Sequence, residues 1–380
     1  MTGSTWKLAL AGAVSLAAGS MAHAQQTLDA EDRPSPGELV MRQISTEADR
    51  VLNQVEEPVS IRFLEAIRGL PEPIEVSIWF DPRERDVNKR RALTAAQHAQ
   101  ATDEEKAGLA LQRFNPFRFY FTSYGTPVAY VRTLEVAGKH GMESIDGAHV
   151  LDFGYGSIGQ LRAMASLGAT AVGVDIDDLL AALYDGQTGA VARHPVADVL
   201  DADGDGVNEK EPGAELGANT GRVAVFDGYW PAEKRIADDV RGALDGAPGY
   251  DLITSKNTLK KGFIHPPEGV EARVDLRVSD EAYLMAVRES LVPGGLFVIY
   301  NLHAKTDPPG PGFRPWTDGR CPFSRETMEE AGFEVLAYNA DDTESARAMG
   351  VALGWDAMGM NVEGDLFATY TVVKRPDAGE

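Results

Sequence analysis

Gly154, Gly156 and Gly159 follow the apolar run Val150-Leu151-Asp152-Phe153 at a spacing that turns a strand sharply into a helix. Glycine suits such a turn because a side chain would occupy the space of a ligand held against the backbone. The helix that follows offers unpaired amide groups at its start. Nineteen residues beyond Gly156, a second apolar run ends in Asp175 with Ile176 beside it. A carboxylate there can accept hydrogen bonds from two ribose hydroxyls. The chemistry these residues suit is the holding of a nucleoside-bearing ligand, and the three glycines alone fit several kinds of nucleotide turn.

Such residues must be carried by a sheet. From residue 149 onward, short apolar runs alternate with helical stretches, the pattern of parallel strands joined by crossover helices. Strands are expected at 149–153, 171–174, 223–226, 252–254, 296–300, 334–338 and 367–373. The fold class read from this is α/β: a doubly wound, mostly parallel seven-stranded sheet with an N-terminal, mainly helical extension. The expected divisions are a leader at 1–24, the extension at 25–115, and the sheet domain at 116–380 with an acidic insertion at about 185–220. In the extension, Val40, Ile44, Val51, Val55, Ile61, Leu64 and Ile67 recur at helical spacing, predicting two helices broken near Pro58. Ile74, Val76 and Ile78 alternate as in a strand, and an alanine-rich helix is expected to end near Arg113. Seven rings, from Phe114 through Phe117, Phe119, Tyr120, Phe121 and Tyr124 to Tyr130, should be largely buried, sealing one end of the core or forming a lid. Thr126 is a suitable cap for a helix with Pro127 at its first position.

The glycine turn with Asp152 ahead of it is followed by Val225-Phe226-Asp227-Gly228, Tyr250-Asp251-Leu252-Ile253 and Leu291-Val292-Pro293-Gly294-Gly295-Leu296. Four motifs in this order make the chain resemble the class I S-adenosylmethionine-dependent methyltransferases, over roughly two thirds of its length from Thr126 onward. The resemblance implies S-adenosylmethionine as cofactor, held by Asp152, Gly154, Gly156, Gly159, Asp175, Ile176, Asp227 and Gly228. In that family an acid at Asp152 positions the methionine amino group through the loop, and an acid at Asp227 suits the adenine amino group. Dinucleotide folds have an apolar residue or glycine where Asp152 stands and lack the Leu-x-Pro-Gly-Gly turn, which argues against a nicotinamide-dependent oxidoreductase.

Methyl transfer is an in-line displacement that needs an aligned acceptor and, for some nucleophiles, a proton acceptor. Candidates follow the fourth strand at Ser255, Lys256, Asn257, Lys260 and His265, and the fifth at Asn301 and His303. His265 and His303 are the candidate catalytic residues, and Lys256, Lys260 and Lys261 stand out against an acidic background. Ser255-Lys256-Asn257-Thr258 occupies the place of the base-methylating signature, which disfavours adenine or cytosine as acceptor. The proline- and glycine-rich stretch 308–315 is expected to cover the acceptor side. The expected acceptor is a small molecule or a protein side chain. The alternative is a non-catalytic, exported binding protein on the same fold.

Asp201, Asp203, Asp205 and the Val207 carbonyl present oxygen ligands in a loop resembling the first half of a calcium-binding hand; Pro212 stands where its last acid would be, so Glu211 or Glu209 would have to substitute. The loop is a candidate calcium site. Across 380 residues, 58 Asp and Glu against 36 Lys and Arg give a net charge of −22, which repels nucleic acid and anionic lipid. Lys7, an apolar stretch at 8–18 and the ending Ala22-His23-Ala24 read as an export leader, too short to span a bilayer. The mature chain is expected to be periplasmic or secreted without stable membrane insertion, and its single Cys321 to be a small buried hydrophobe.

Overall fold

Pro36 and Pro58 each open a helix, where the missing amide costs nothing. A computed structural model of the chain describes residues 33–84, 86–122, 124–192 and 221–377. The leader and the loop bearing Asp201, Asp203, Asp205, Val207 and Glu211 lie outside the described residues. The first helix, Pro36–Leu52, is started by a Ser35/Glu38 capping box and buries Val40, Ile44, Ala48 and Val51. The second, Pro58–Ile67, receives its cap from elsewhere in the chain: the Glu135 carboxylate accepts the amides of Glu56 and Glu57 at 3.0 and 3.2 Å. Glu47 accepts a 2.6 Å bond from the Thr126 hydroxyl, so the extension is joined to the sheet domain by buried polar contacts.

The rest of the extension departs from the sequence expectation of an alanine-rich helix. Strand β1 (Val76–Phe80) pairs antiparallel with β2 (Ala92–Leu93) and β3 (Ala110–Phe114) in a small sheet. Two short helices, Ala95–Gln100 and Asp103–Lys106, lie between, started afresh by capping boxes at Thr94 and Thr102. Neither buries a residue, so the alanines have propensity but no apolar face, and Gly108 at φ 81° turns the chain into β3. The extension is therefore helical and stranded, rather than mainly helical.

The main sheet contains β4 (His149–Phe153), β5 (Thr170–Asp175), β6 (Gly189–Val191), β7 (Gly221–Asp227), β8 (Tyr250–Lys256), β9 (Leu291–His303), β10 (Glu334–Asp341) and β11 (Phe367–Lys374). Their spatial order is β10-β11-β9-β8-β4-β5-β7-β6. All seven expected strands are present, but the sheet is eight-stranded and mixed. Residues at the start of the acidic insertion turn back as β6 along β7, and β11 runs antiparallel to both β9 and β10. Side chains alternate between the two faces: Val150, Leu252 and Val298 enter one core, Leu151, Ile253 and Phe297 the other. Helices cover both faces, as a sheet with a parallel centre requires.

Leu291-Val292-Pro293-Gly294-Gly295 forms a bulge in the β8–β9 pairing. Tyr250 faces Leu291, and two residues on, Leu252 faces Leu296. Gly294 takes φ 81° and donates to the Arg375 carbonyl at 2.8 Å, while the Arg375 amide donates to Gly295 at 2.9 Å. Of the aromatic segment, Phe119, Tyr120, Phe121 and Tyr130 are buried. Phe117 is partly exposed and stacks on Phe121 at 4.5 Å. These rings seal the core: the Tyr120 hydroxyl bonds to Pro71 O, and Tyr184 to Phe119 O.

Thr126 caps a short turn, Pro127–Tyr130, that continues into the helix Val131–Lys139. That helix is fixed by a buried pair: Arg132 donates to both Asp342 oxygens at 2.7 and 3.0 Å, and the Tyr300 hydroxyl donates to the same carboxylate at 2.7 Å. Arg132→Leu leaves Asp342 buried without its cation and should cost about 3–5 kcal/mol in chemical denaturation. Arg132→Leu combined with Asp342→Leu should recover part of that loss, and an equal loss in the double variant would show that the charge is not the cause.

Candidate functional site

The C-terminal ends of β4, β5 and β8, with the residues following β7, enclose a cavity of about 190 Å3. Gly154 takes φ 76°, and its amide donates to the Val174 carbonyl at 2.8 Å. A Cβ on Gly154 would lie 2.1 Å from Thr258 Oγ1, so the turn closes against the loop after β8 only with glycine present. Gly156 takes φ 57°, and a Cβ there would meet only Gly154 O, at 3.9 Å. Gly159 serves packing: a Cβ would fall 2.5 Å from the Pro127 ring.

Asp175 lines the cavity with Ile176 and Gly228. Its carboxylate accepts from the amides of Ile176 at 2.8 Å, Asp177 at 3.2 Å and Gly156 at 3.4 Å. Burial, and then the charge of Asp177, push it up to about 6. Asp227 is not among the cavity-lining residues, and its carboxyl meets that of Asp178. Burial and the repulsion of Asp178 push Asp227 up to about 7. The apolar wall at this end comes instead from Ile176, Tyr229 and Trp230.

Asp152 is fully buried beneath the glycine turn. It accepts from the Tyr130 hydroxyl, from Thr254 Oγ1 at 3.2 Å and from Gln160 Nε2 at 3.2 Å. Gln160 also donates to the Tyr155 carbonyl inside the turn at 2.6 Å, so Asp152 acts on the loop through Gln160. Burial pushes Asp152 up to about 6.

The sequence reading missed the roof of the cavity, which the extension supplies. Val87 lines it, Asn88 accepts from the Tyr229 hydroxyl at 3.1 Å, and Arg90 pairs with Asp177 at 2.6 Å. The charged stretch around these residues looks like any solvated connection. Its one signal was Arg90, a cation able to face the acids after β5. Arg273, Val274 and Asp275 were likewise missed and line the opposite side with Phe263.

The acceptor candidates differ in burial and in partners. Ser255 and Asn301 are buried and structural: Asn301 Nδ2 donates to Leu259 O and Gly319 O, at 2.8 and 2.9 Å. Asn257, at φ 66°, lines the cavity while its side chain accepts from the Leu302 amide. Lys256 stands 5.8 Å from the Tyr130 ring centroid, and burial pushes it down to about 8. Lys260 is 5% exposed, donates to Leu302 O at 2.5 Å and is pushed down to about 7 by burial and then by Lys256. His303 is partly buried and not among the cavity-lining residues, with Nδ1 on Ala304 O at 2.8 Å and Nε2 without a hydrogen-bond partner among the described residues; burial lowers its pKa. His265 lies on the surface, paired with Asp280 at 2.9 Å, and is not among the cavity-lining residues. Cys321 is buried and unpaired, and burial pushes its thiol up to about 12. Among the described residues, no group of three or more His, Cys, Asp or Glu is placed to hold a metal. No helix there is long and apolar enough to cross a membrane.

No family model matches the chain, and no curated protein does. Solved structures that it resembles include an S-adenosylmethionine-dependent methyltransferase from Mesorhizobium loti, at 13% identity over 65% of this chain and 98% of that one, TM-score 0.35. Another is a Haemonchus contortus phosphoethanolamine N-methyltransferase in complex with S-adenosyl-L-methionine, at 13% identity over 71% and 63%, TM-score 0.36. A third is an arsenic(III) S-adenosylmethionine methyltransferase from Chlamydomonas reinhardtii, at 14% identity over 62% and 66%, TM-score 0.32. Likeness at this level assigns neither an activity nor an acceptor to this chain.

The raised carboxyls have a stability consequence. Asp152, Asp175 and Asp227 hold protons more tightly folded than unfolded, so their contribution is fully present below about pH 4 and is lost as pH rises through 6 to 7. Asp227→Asn removes one of these charges and should raise stability by ~1 kcal/mol at pH 8, about 2–4 °C in Tm, and by nothing at pH 4. Melting curves across that range check it, and a pH-independent gain would locate the effect elsewhere.

Proposed function

We propose that the chain is an exported S-adenosylmethionine-dependent methyltransferase acting on a small-molecule or protein acceptor. The observation that carries this reading is Asp175, whose carboxylate lines the cavity beside Gly154 and within reach of the Gly156 amide. The residues fit the cofactor. Asp175 would accept from the ribose hydroxyls; Ile176, Tyr229 and Trp230 would form an apolar wall for the base; and the open direction at Gly156 leaves room for a ligand against the backbone. Unneutralised carboxyls at this end favour a ligand rich in hydrogen-bond donors and carrying positive charge.

When bound, S-adenosylmethionine supplies a methyl group on a sulfonium that is open to nucleophilic displacement. Asp152, through Gln160, keeps the glycine turn in its binding shape, and Asn257 and Thr258 bound the cavity on the acceptor side. His303, whose Nε2 has no partner among the described residues and whose pKa burial lowers, is the proposed proton acceptor for acceptors that need one.

Calorimetry of residues 25–380 with S-adenosylmethionine, with and without calcium, tests the reading. Saturable binding is expected, weakened at least about tenfold by Asp175→Ala, which removes hydrogen bonds to a charged acceptor. Gly154→Ala should abolish it because of the clash with Thr258. Absence of binding in both calcium conditions would leave a non-catalytic binding protein.

A further inference from the structure

From Phe263 and Arg273, which line the cavity, a row of alternating cations and rings runs outward. Arg314 stands over Trp316 at 5.7 Å, Arg273 over Trp316 at 5.1 Å and over Phe263 at 5.5 Å, and Lys260 over Phe263 at 5.1 Å. Three chain segments are locked together to make the row. The amides of Arg273 and Val274 donate to Phe263 O at 2.8 and 3.2 Å, and Gly262 and Lys261 donate to Asp318 O and Arg320 O at 3.1 and 2.8 Å. A Cβ on Gly262 would lie 2.2 Å from Pro315 O, so the backbones touch where Trp316 is presented.

The charges in this row are unevenly satisfied. Arg314 is paired with Asp307 at 2.8 Å. Neither Arg273 nor Lys260 makes an ion pair among the described residues, in a chain whose net charge is −22. Asp275, the nearby acid that also lines the cavity, is engaged by the Arg277 amide at 2.9 Å. Arg273 is exposed at the mouth, where its planar fork is held between two rings and pre-oriented for a planar or tetrahedral anion. Lys260 is buried behind Phe263, and its ammonium retains donors beyond the one given to Leu302.

The geometry points to an anion subsite at Arg273: the methyl acceptor is a small molecule bearing a carboxylate or phosphate that docks on Arg273 beside Phe263 and Trp316, in the field of Lys260. This rests on the methyltransferase reading for the word acceptor, while the anion subsite itself is independent of it. Arg273 makes the direct contact, and Lys260 is a positioning residue. Arg273 and Phe263 line the same cavity as Asn257 and Thr258, so an anion held at Arg273 would set the group to be methylated in the space those residues bound.

Calorimetry of residues 25–380 with citrate and with inorganic phosphate, at ionic strength held constant with chloride, tests the subsite. Saturable binding of at least one is expected, weakened about tenfold by Arg273→Gln, an exposed change that leaves the core intact, and weakened also by Lys260→Met. The stronger of the two probes tells a carboxylate from a phosphate. The titration is repeated with S-adenosylhomocysteine saturating: unchanged anion binding supports an acceptor subsite, and displacement would assign the anion to the cofactor's own carboxylate and overturn the proposal. Binding of neither probe, or binding indifferent to Arg273→Gln, also overturns it. S-adenosylmethionine binding without anion binding defeats this proposal alone, and anion binding without S-adenosylmethionine binding defeats only the cofactor reading.

Discussion

The buried carboxylate of Asp152 joins the parts of the molecule that must not move relative to one another. Tyr130 reaches it from the turn before the helix Val131–Lys139, Thr254 from the neighbouring strand β8, and Gln160 from the helix after the glycine turn. A fully buried charge is expensive unless its oxygens are hydrogen-bonded. The three donors supply those bonds, and Lys256 supplies positive charge nearby. The cost is offset only when all these segments are in place, so a single side chain couples sheet, turn and helix. Arg132 and Asp342 do the same on the far side of that helix, tying it to Tyr300 on β9.

Charge is unevenly spread around the cavity. Carboxyls crowd one end, where Arg90 is paired to Asp177 and burial holds Asp175, and Asp227 behind it, above the usual carboxylate range. Towards the other end Arg273 lines the cavity, and behind it Lys260 is pushed down by burial and then by Lys256 and Arg273. Asp175, Asp227 and Lys260 are perturbed first by burial and then by neighbouring like charges, and such perturbations concentrate at functional sites. A donor-rich, positively charged ligand and a negatively charged partner would each relieve one end.

The strands were legible because buried parallel strands need continuous apolar runs, and Val150-Leu151, Ala171-Val172 and Leu296 to Ile299 have nothing else to be. The glycines and Asp175 were legible because their roles depend on local backbone geometry. What escaped depends on distant partners. The polar stretch bearing Val87, Asn88 and Arg90 has no pattern of its own and becomes a roof only because β1 and β2 bring it over β5. Asp227 looked equivalent to Asp175 at the end of its strand, but Asp178 stands across from it, a neighbour that strand position alone does not reveal. The alanine-rich stretch illustrates the reverse error, since composition favoured a helix that no buried face supports.

Both outer margins of the main sheet are blunt. At one end β6 contributes three residues, and at the other the pairing of β10 is broken by two register shifts. An edge strand can template the addition of another chain only along a regular row of unpaired amides and carbonyls, and bulged or very short edges deny that row. Among the described residues, the margins of the main sheet thus offer little to a further strand, and the more regular edge is that of the five-residue β3 in the small sheet.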